Sequence, residues 1–80
     1  MKLFLISQDQ NTDYDTYDSA VVSAPDEEIA RQMDPSTGKP NDWSDRYSPW
    51  CDGPQHVIVR YLGEVADMEQ GIVCSSFNAG

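Results

Sequence analysis

Positive charge is scarce in this chain of 80 residues. Lys and Arg together number 5 against 14 Asp and Glu, which gives a formal net charge of −9. A protein that binds nucleic acid directly needs cations to neutralise phosphates, and a helix that lies on an anionic membrane needs a basic face. The composition argues against both classes. It favours a basic protein as the partner.

Long apolar runs and cysteines are also scarce. The apolar start of the chain ends before Asp9, whereas a membrane-spanning helix needs roughly 20 apolar residues and a secretory signal about 7–15. The 2 cysteines, Cys51 and Cys74, are too few for a disulfide framework. We therefore expect reduced thiols and a cytoplasmic location.

Residues that could support catalysis or bind zinc are few and scattered. A structural zinc site needs four ligands with close pairs, but Cys51, His56 and Cys74 form no such pattern. The pattern favours Cys74 as a core residue, because it stands in an apolar strand. Glu27 and Glu28 are neighbours on a predicted helix, so their side chains point about 100° apart. We expect no catalytic residue, no cofactor and no metal.

The acidic stretch over residues 9–18 invites comparison with a calcium-binding loop. Alternating oxygen ligands are typical of such loops, which also need glycine at the sixth position and a bidentate Glu at the twelfth. Those positions hold Tyr14 and Ala20. The flanking residues moreover predict strands and not helices. The pattern does not favour calcium binding.

The pattern of apolar residues predicts one α+β domain over residues 1–80. The expected elements are strands at residues 2–7 and 18–24, a short helix from Pro25 that ends at Asp34-Pro35, and strands at residues 56–62 and 71–77. The order is ββαββ. It predicts hairpins at both ends of the helix and a four-stranded antiparallel sheet with that helix packed on one face.

The segment of residues 34–55 is rich in Pro, Gly, Ser, Asn and Asp, yet it contains Trp43, Tyr47 and Trp50. Disordered linkers rarely carry such rings. We expect an ordered loop that the rings pin to the core. The same rings offer an alternative, a surface that contacts another protein.

The distribution of acidic residues suggests a binding surface. Eight of the 14 carboxylates lie between residues 9 and 34, and others lie in the aromatic loop. If they share one side, they form a continuous anionic surface, and nine net charges correspond to about 15 Å of DNA duplex. The alternative is that the acidity only keeps the protein dispersed. The predicted contact residues are Asp13, Asp15, Asp18, Glu27, Glu28, Asp42 and Asp45.

The chain end allows two interpretations. Phe77 could bury its ring under the sheet while residues 78–80 lie against residues 14–18 and brace the acidic stretch. Alternatively, the terminal carboxylate of Gly80 joins the anionic surface. The sequence does not separate them.

Residues 14–22 (YDTYDSAVV) and 76–80 (SFNAG) resemble a family of small acidic phage and prophage proteins, and the likeness extends over nearly the whole chain. Small acidic phage proteins include anti-CRISPR proteins, several of which occupy the DNA-binding surface of a CRISPR effector. The resemblance implies a monomeric, non-enzymatic inhibitor in the bacterial host cytoplasm that blocks recognition of target DNA or of the PAM. The alternative is a phage accessory module that binds another protein through its Trp/Tyr loop.

Overall fold

The computed structural model describes residues 1–12, 14–44 and 48–78. Its elements follow the predicted ββαββ order, with a 3₁₀ turn before the third strand. A 4-stranded antiparallel sheet runs in the order β3-β1-β2-β4, which confirms the α+β class. The elements are β1 (Lys2–Ser7), β2 (Thr16–Ala24), α1 (Glu27–Arg31), the 3₁₀ turn (Pro54–His56), β3 (Ile58–Glu64) and β4 (Gly71–Asn78).

The arrangement of the last two strands differs from the expected pair of hairpins. β1 and β2 form a hairpin, but β3 pairs with β1 and β4 pairs with β2. The apolar strand β1 therefore has a neighbour on each side, and the C-terminal strands occupy opposite edges. The connection of residues 65–70 crosses three strand spacings, about 14 Å in total, which a short extended segment covers easily.

The hydrophobic core lies on one face of the sheet. Alternate residues of β1, Phe4 and Ile6, are buried and stand opposite Val22 and Ala20 of β2. This period of two is expected for a strand with one covered face. The side chains that cover the face come from the helix and from the segments that follow it, and they include Ala30, Met33, Trp50, Cys51 and Val57.

The helix is shorter than the sequence predicted. Asp26 and not Pro25 stands at its start, where the Asp26 carboxylate accepts a hydrogen bond of 2.9 Å from the backbone N–H of Ile29. At its end, Arg31 Nη1 donates to the backbone oxygen of Val57 at 2.5 Å. The helix is thereby tied to the segment that leads into β3.

The core cysteine is Cys51 and not Cys74, which the sequence favoured. Cys51 is buried in the core, while Cys74 is exposed opposite Val21 on β2, and both thiols are free. The prediction that Cys74 is a core residue was therefore wrong, because β4 is an edge strand and this part of it faces solvent. Burial raises the pKa of the Cys51 thiol, whose Sγ donates to the Gly53 oxygen.

Candidate functional site

The acidic connection, residues 8–15 between β1 and β2, is organised around one buried amide. Gln8 is only 5% exposed. Its Nε2 donates to the backbone oxygens of Asn11 at 2.7 Å and Tyr17 at 2.8 Å, and its Oε1 accepts from the Asn11 N–H at 2.7 Å. A single side chain therefore fixes both the entry and the exit of the connection.

The loop that contains Trp50 holds the same connection from outside. Asn11 Nδ2 donates to the Trp50 oxygen at 3.1 Å, and the Asp52 N–H donates to Gln10 Oε1 at 3.1 Å. These contacts join segments that are about forty residues apart in sequence. They also bring the carboxylate of Asp52 to the end of the sheet where Asp9 lies.

The last strand braces the exit of the connection. The Asp15 N–H donates to the Asn78 oxygen at 2.6 Å, and the rings of Tyr17 and Phe77 meet edge to face with centroids 4.7 Å apart. Phe77 remains 45% exposed, so its ring is not buried under the sheet as one interpretation of the chain end required. The bracing itself is present at Asn78. Residues 79 and 80 lie outside the described residues.

The backbone of Asp15 has a left-handed conformation. Its φ is 61°, a region that few residues other than Gly, Asn and Asp adopt readily. The backbone that carries the exposed carboxylate therefore accommodates few other residue types, and it is held by the hydrogen bond from the Asp15 N–H to the Asn78 oxygen. The fold thus fixes the backbone position from which this carboxylate extends.

We call the acidic end the group of exposed carboxylates at this end of the sheet. It comprises Asp9, Asp15, Asp18 and Asp52. Asp18 is the extra residue of an irregularity in the β2–β4 pairing, and its backbone oxygen accepts from the Gln8 N–H at 3.1 Å. Asp52 lies 3.3 Å from His56 Nε2, so a protonated His56 partly offsets its charge.

Glu27 and Glu28 lie elsewhere, on the helix that follows the opposite end of β2. Both are exposed, and Arg31 lies 3.6 Å from Glu27 and 4.0 Å from Glu28. Exposed pairs of this kind are weak, but they do reduce the net negative charge of the helix. Along β2 alone, Asp18 is about 20 Å from the end of the strand at roughly 3.3 Å per residue.

Of the three remaining predicted residues, the structure describes only Asp42. Asp42 accepts hydrogen bonds from the N–H of Ser44 at 3.1 Å and from its hydroxyl at 2.6 Å, and these bonds lower the pKa of Asp42. Asp13 and Asp45 lie outside the described residues. Of the predicted contact set, the described part of the chain therefore brings together Asp15 and Asp18 and separates them from the helix pair.

The tryptophans serve the fold. Trp50 is 1% exposed, and Trp43 is half-buried with its Nε1 donating to Gln32 Oε1 at 2.7 Å. The expected pinning of the loop by these two rings is confirmed. Trp50 has almost no surface with which to contact a partner, and Tyr47 lies outside the described residues.

Across residues 1–12, 14–44 and 48–78, no group of three or more His, Cys, Asp or Glu side chains is placed to hold a metal ion. In the same ranges no helix has the length and apolar character needed to cross a membrane. We found no match to this chain among protein-family models, curated proteins or solved structures.

The predicted contact set omits three residues of this site, Gln8, Asp9 and Asp52. Gln8 looked like the first polar residue after a strand, and Asp52 like one more charge in a loop. Their roles depend on contacts with Asn11 and Gln10 that only the folded chain creates. A glutamine directly after an apolar strand is only a weak signal for a buried side chain that bonds the backbone at both ends of a connection.

Proposed function

We propose that this protein is an anti-CRISPR protein, a phage-encoded inhibitor without enzymatic activity whose carboxylates imitate DNA phosphates. The observation that carries the proposal is the acidic end, where exposed carboxylates stand on a backbone fixed by buried and long-range hydrogen bonds. A mimic of DNA needs charges in a fixed pattern, and flexible acidic tails do not supply one. The phage-protein resemblance of residues 14–22 and 76–80 supports the biological setting.

The proposed target is the Lys- and Arg-lined DNA-binding surface of a CRISPR effector in the bacterial host cytoplasm. Complementary charge accelerates the encounter, and contacts at the centre of the interface slow dissociation. The four carboxylates of the acidic end correspond to the phosphate charge of about 7 Å of duplex. A monomer bound there excludes target DNA or prevents recognition of the PAM.

Two matched pairs of charge reversals test the proposal. Asp9→Lys with Asp18→Lys alters the acidic end, whereas Glu27→Lys with Glu64→Lys alters exposed positions away from that end by the same net charge. Asp18 and Glu64 each contact one exposed hydroxyl, of Ser19 and Tyr61 respectively. We expect the acidic-end pair to weaken inhibition of effector–DNA binding about a hundredfold, since charged contacts contribute about 1.5–3 kcal/mol each.

The control pair should stay within about threefold of the unaltered protein, because screening limits the effect of distant charges. Inhibition of DNA binding is measured with purified effector complexes at constant salt, and circular dichroism verifies folding. Equal losses in both pairs would mean that only net charge matters. Full inhibition by the acidic-end pair would exclude the mimic. Capture of the effector should also be lost between about 0.1 and 0.5 M salt.

A further inference from the structure

The outer side of β4 is an unprotected sheet edge. β4 pairs with β2, and no other strand in the described ranges pairs with it. Residues 73–77, Val-Cys-Ser-Ser-Phe, are all exposed and contain neither a charge nor a proline. Natural edge strands are commonly blocked by charged residues, by proline or by bulges. Val73 is an extra residue of β4 in the pairing with β2. From Cys74 to Asn78 every residue of β4 has a partner, and the second irregularity places its extra residue, Asp18, on β2.

The opposite edge of the same sheet is protected. β3 carries the exposed charged residues Arg60 and Glu64, and the Tyr61 hydroxyl donates to Glu64 at 3.2 Å. Leu62 is an extra residue in the pairing with β1, as Val73 is in the pairing of β4 with β2, so the charged residues and not the bulge distinguish the two edges. The two edges therefore differ, and only the β4 edge has an uncharged stretch to which another strand can add.

Acidic residues flank β4 at both ends. Asp67 and Glu69 precede it and line a shallow cavity of about 600 Å³ that reaches Ile72. At the other end, Asp15 is hydrogen-bonded through its backbone to Asn78, and Asp18 interrupts the pairing beside it. The edge is therefore neutral along its middle and anionic at its ends.

We infer that the β4 edge binds an extended segment of a basic protein, which adds to the sheet as a fifth strand. Backbone hydrogen bonds to β4 would supply affinity, as in other cases of strand addition. Lys or Arg residues at the ends of the segment would meet Asp67 and Glu69 on one side and Asp15 and Asp18 on the other. This surface shares Asp15 and Asp18 with the acidic end, but the inference does not depend on the identity of the proposed effector.

A second copy of this chain fits the edge less well. Two β4 strands related by a two-fold axis run antiparallel, so the Gly71 end of one lies beside the Asn78 end of the other. Both ends are acidic, as the positions of Asp67, Glu69 and Asp18 require. Like charges brought together in this way oppose pairing, whereas a segment with basic ends is attracted at both.

The test uses isotope-labelled protein and a peptide of alternating Val and Thr with Lys residues at both ends. We expect amide chemical-shift changes concentrated in β4 and slower amide hydrogen exchange there. A peptide with Glu in place of Lys should bind at least about tenfold more weakly, since like charges then meet at both ends. A peptide N-methylated on alternate amides should also lose at least about tenfold, because it lacks donors for the edge.

Paired variants locate the site on the protein. Ser76→Lys places a cation on the edge, and Ile58→Lys places one in the same cross-strand row at the opposite edge. Only Ser76→Lys should weaken binding of the Lys-flanked peptide, again by about tenfold or more. Shift changes outside β4, or equal binding of the Lys- and Glu-flanked peptides, would overturn the inference. Concentration-dependent protection of β4 without peptide would overturn it in favour of a second copy.

Discussion

Replacement of Gln8 by alanine should destabilise the protein far more than a surface glutamine would suggest. The change removes 3 hydrogen bonds, to the Asn11 oxygen, the Asn11 N–H and the Tyr17 oxygen, in a side chain that is 5% exposed. At about 0.5–1.5 kcal/mol for each bond, the expected loss of unfolding free energy is about 2–4 kcal/mol. For a domain of this size, about 1 kcal/mol corresponds to roughly 4–8 °C in Tm.

Thermal unfolding followed by circular dichroism should therefore show a decrease in Tm of about 8–32 °C for Gln8→Ala. The matched control is Gln10→Ala, which removes only the exposed contact with the Asp52 N–H and should cost less than about 1 kcal/mol. A decrease below about 3 °C for Gln8→Ala would refute the reasoning, because it would mean that water replaces the amide at little cost. Equal decreases in Tm for Gln8→Ala and Gln10→Ala would also refute the reasoning.

The remaining predictions concern the thiols and the helix. A thiol reagent at mildly alkaline pH should modify Cys74 rapidly in the folded protein and Cys51 only after denaturant is added, because Cys51 is buried and burial raises its pKa. Two thiols reacting at one rate without denaturant would contradict the placement of Cys51 in the core. Asp26→Ala should lower the unfolding free energy by about 1 kcal/mol through loss of the bond to the Ile29 N–H, whereas Asp26→Asn should retain most of it, as chemical denaturation would measure.

Local patterns predicted the elements well where a strong signal bounds them. The apolar run of β1 is bounded by nearby polar residues, so the sequence alone locates it, whereas the helix ends at Arg31, before the stop predicted at Asp34-Pro35. Strand pairing is different, because it depends on which edge of β1 is still free when β3 arrives. The expected second hairpin therefore failed while the ββαββ order held.

The candidate site was only partly predictable for the same reason. Exposure of Asp15 and Asp18 follows from their charge, but their proximity to Asp52 depends on a contact of Gln10 with a distant loop. The prediction for Cys74 failed because residue type alone does not distinguish a central strand from an edge strand. The pinning of the loop by Trp43 and Trp50 was predicted from residue type, but contacts between particular polar residues were not.

The central position of β1 has a consequence for folding during synthesis. β2 can pair with β1 early, but the other side of β1 stays open until β3, Ile58–Glu64, leaves the ribosome. At roughly 5–20 residues per second, that interval lasts about 2–7 s. An isolated hairpin is at best marginally stable in water, so the nascent chain has no stable folded state in that interval. The four-stranded sheet can therefore form only after β3 and β4 have been synthesised.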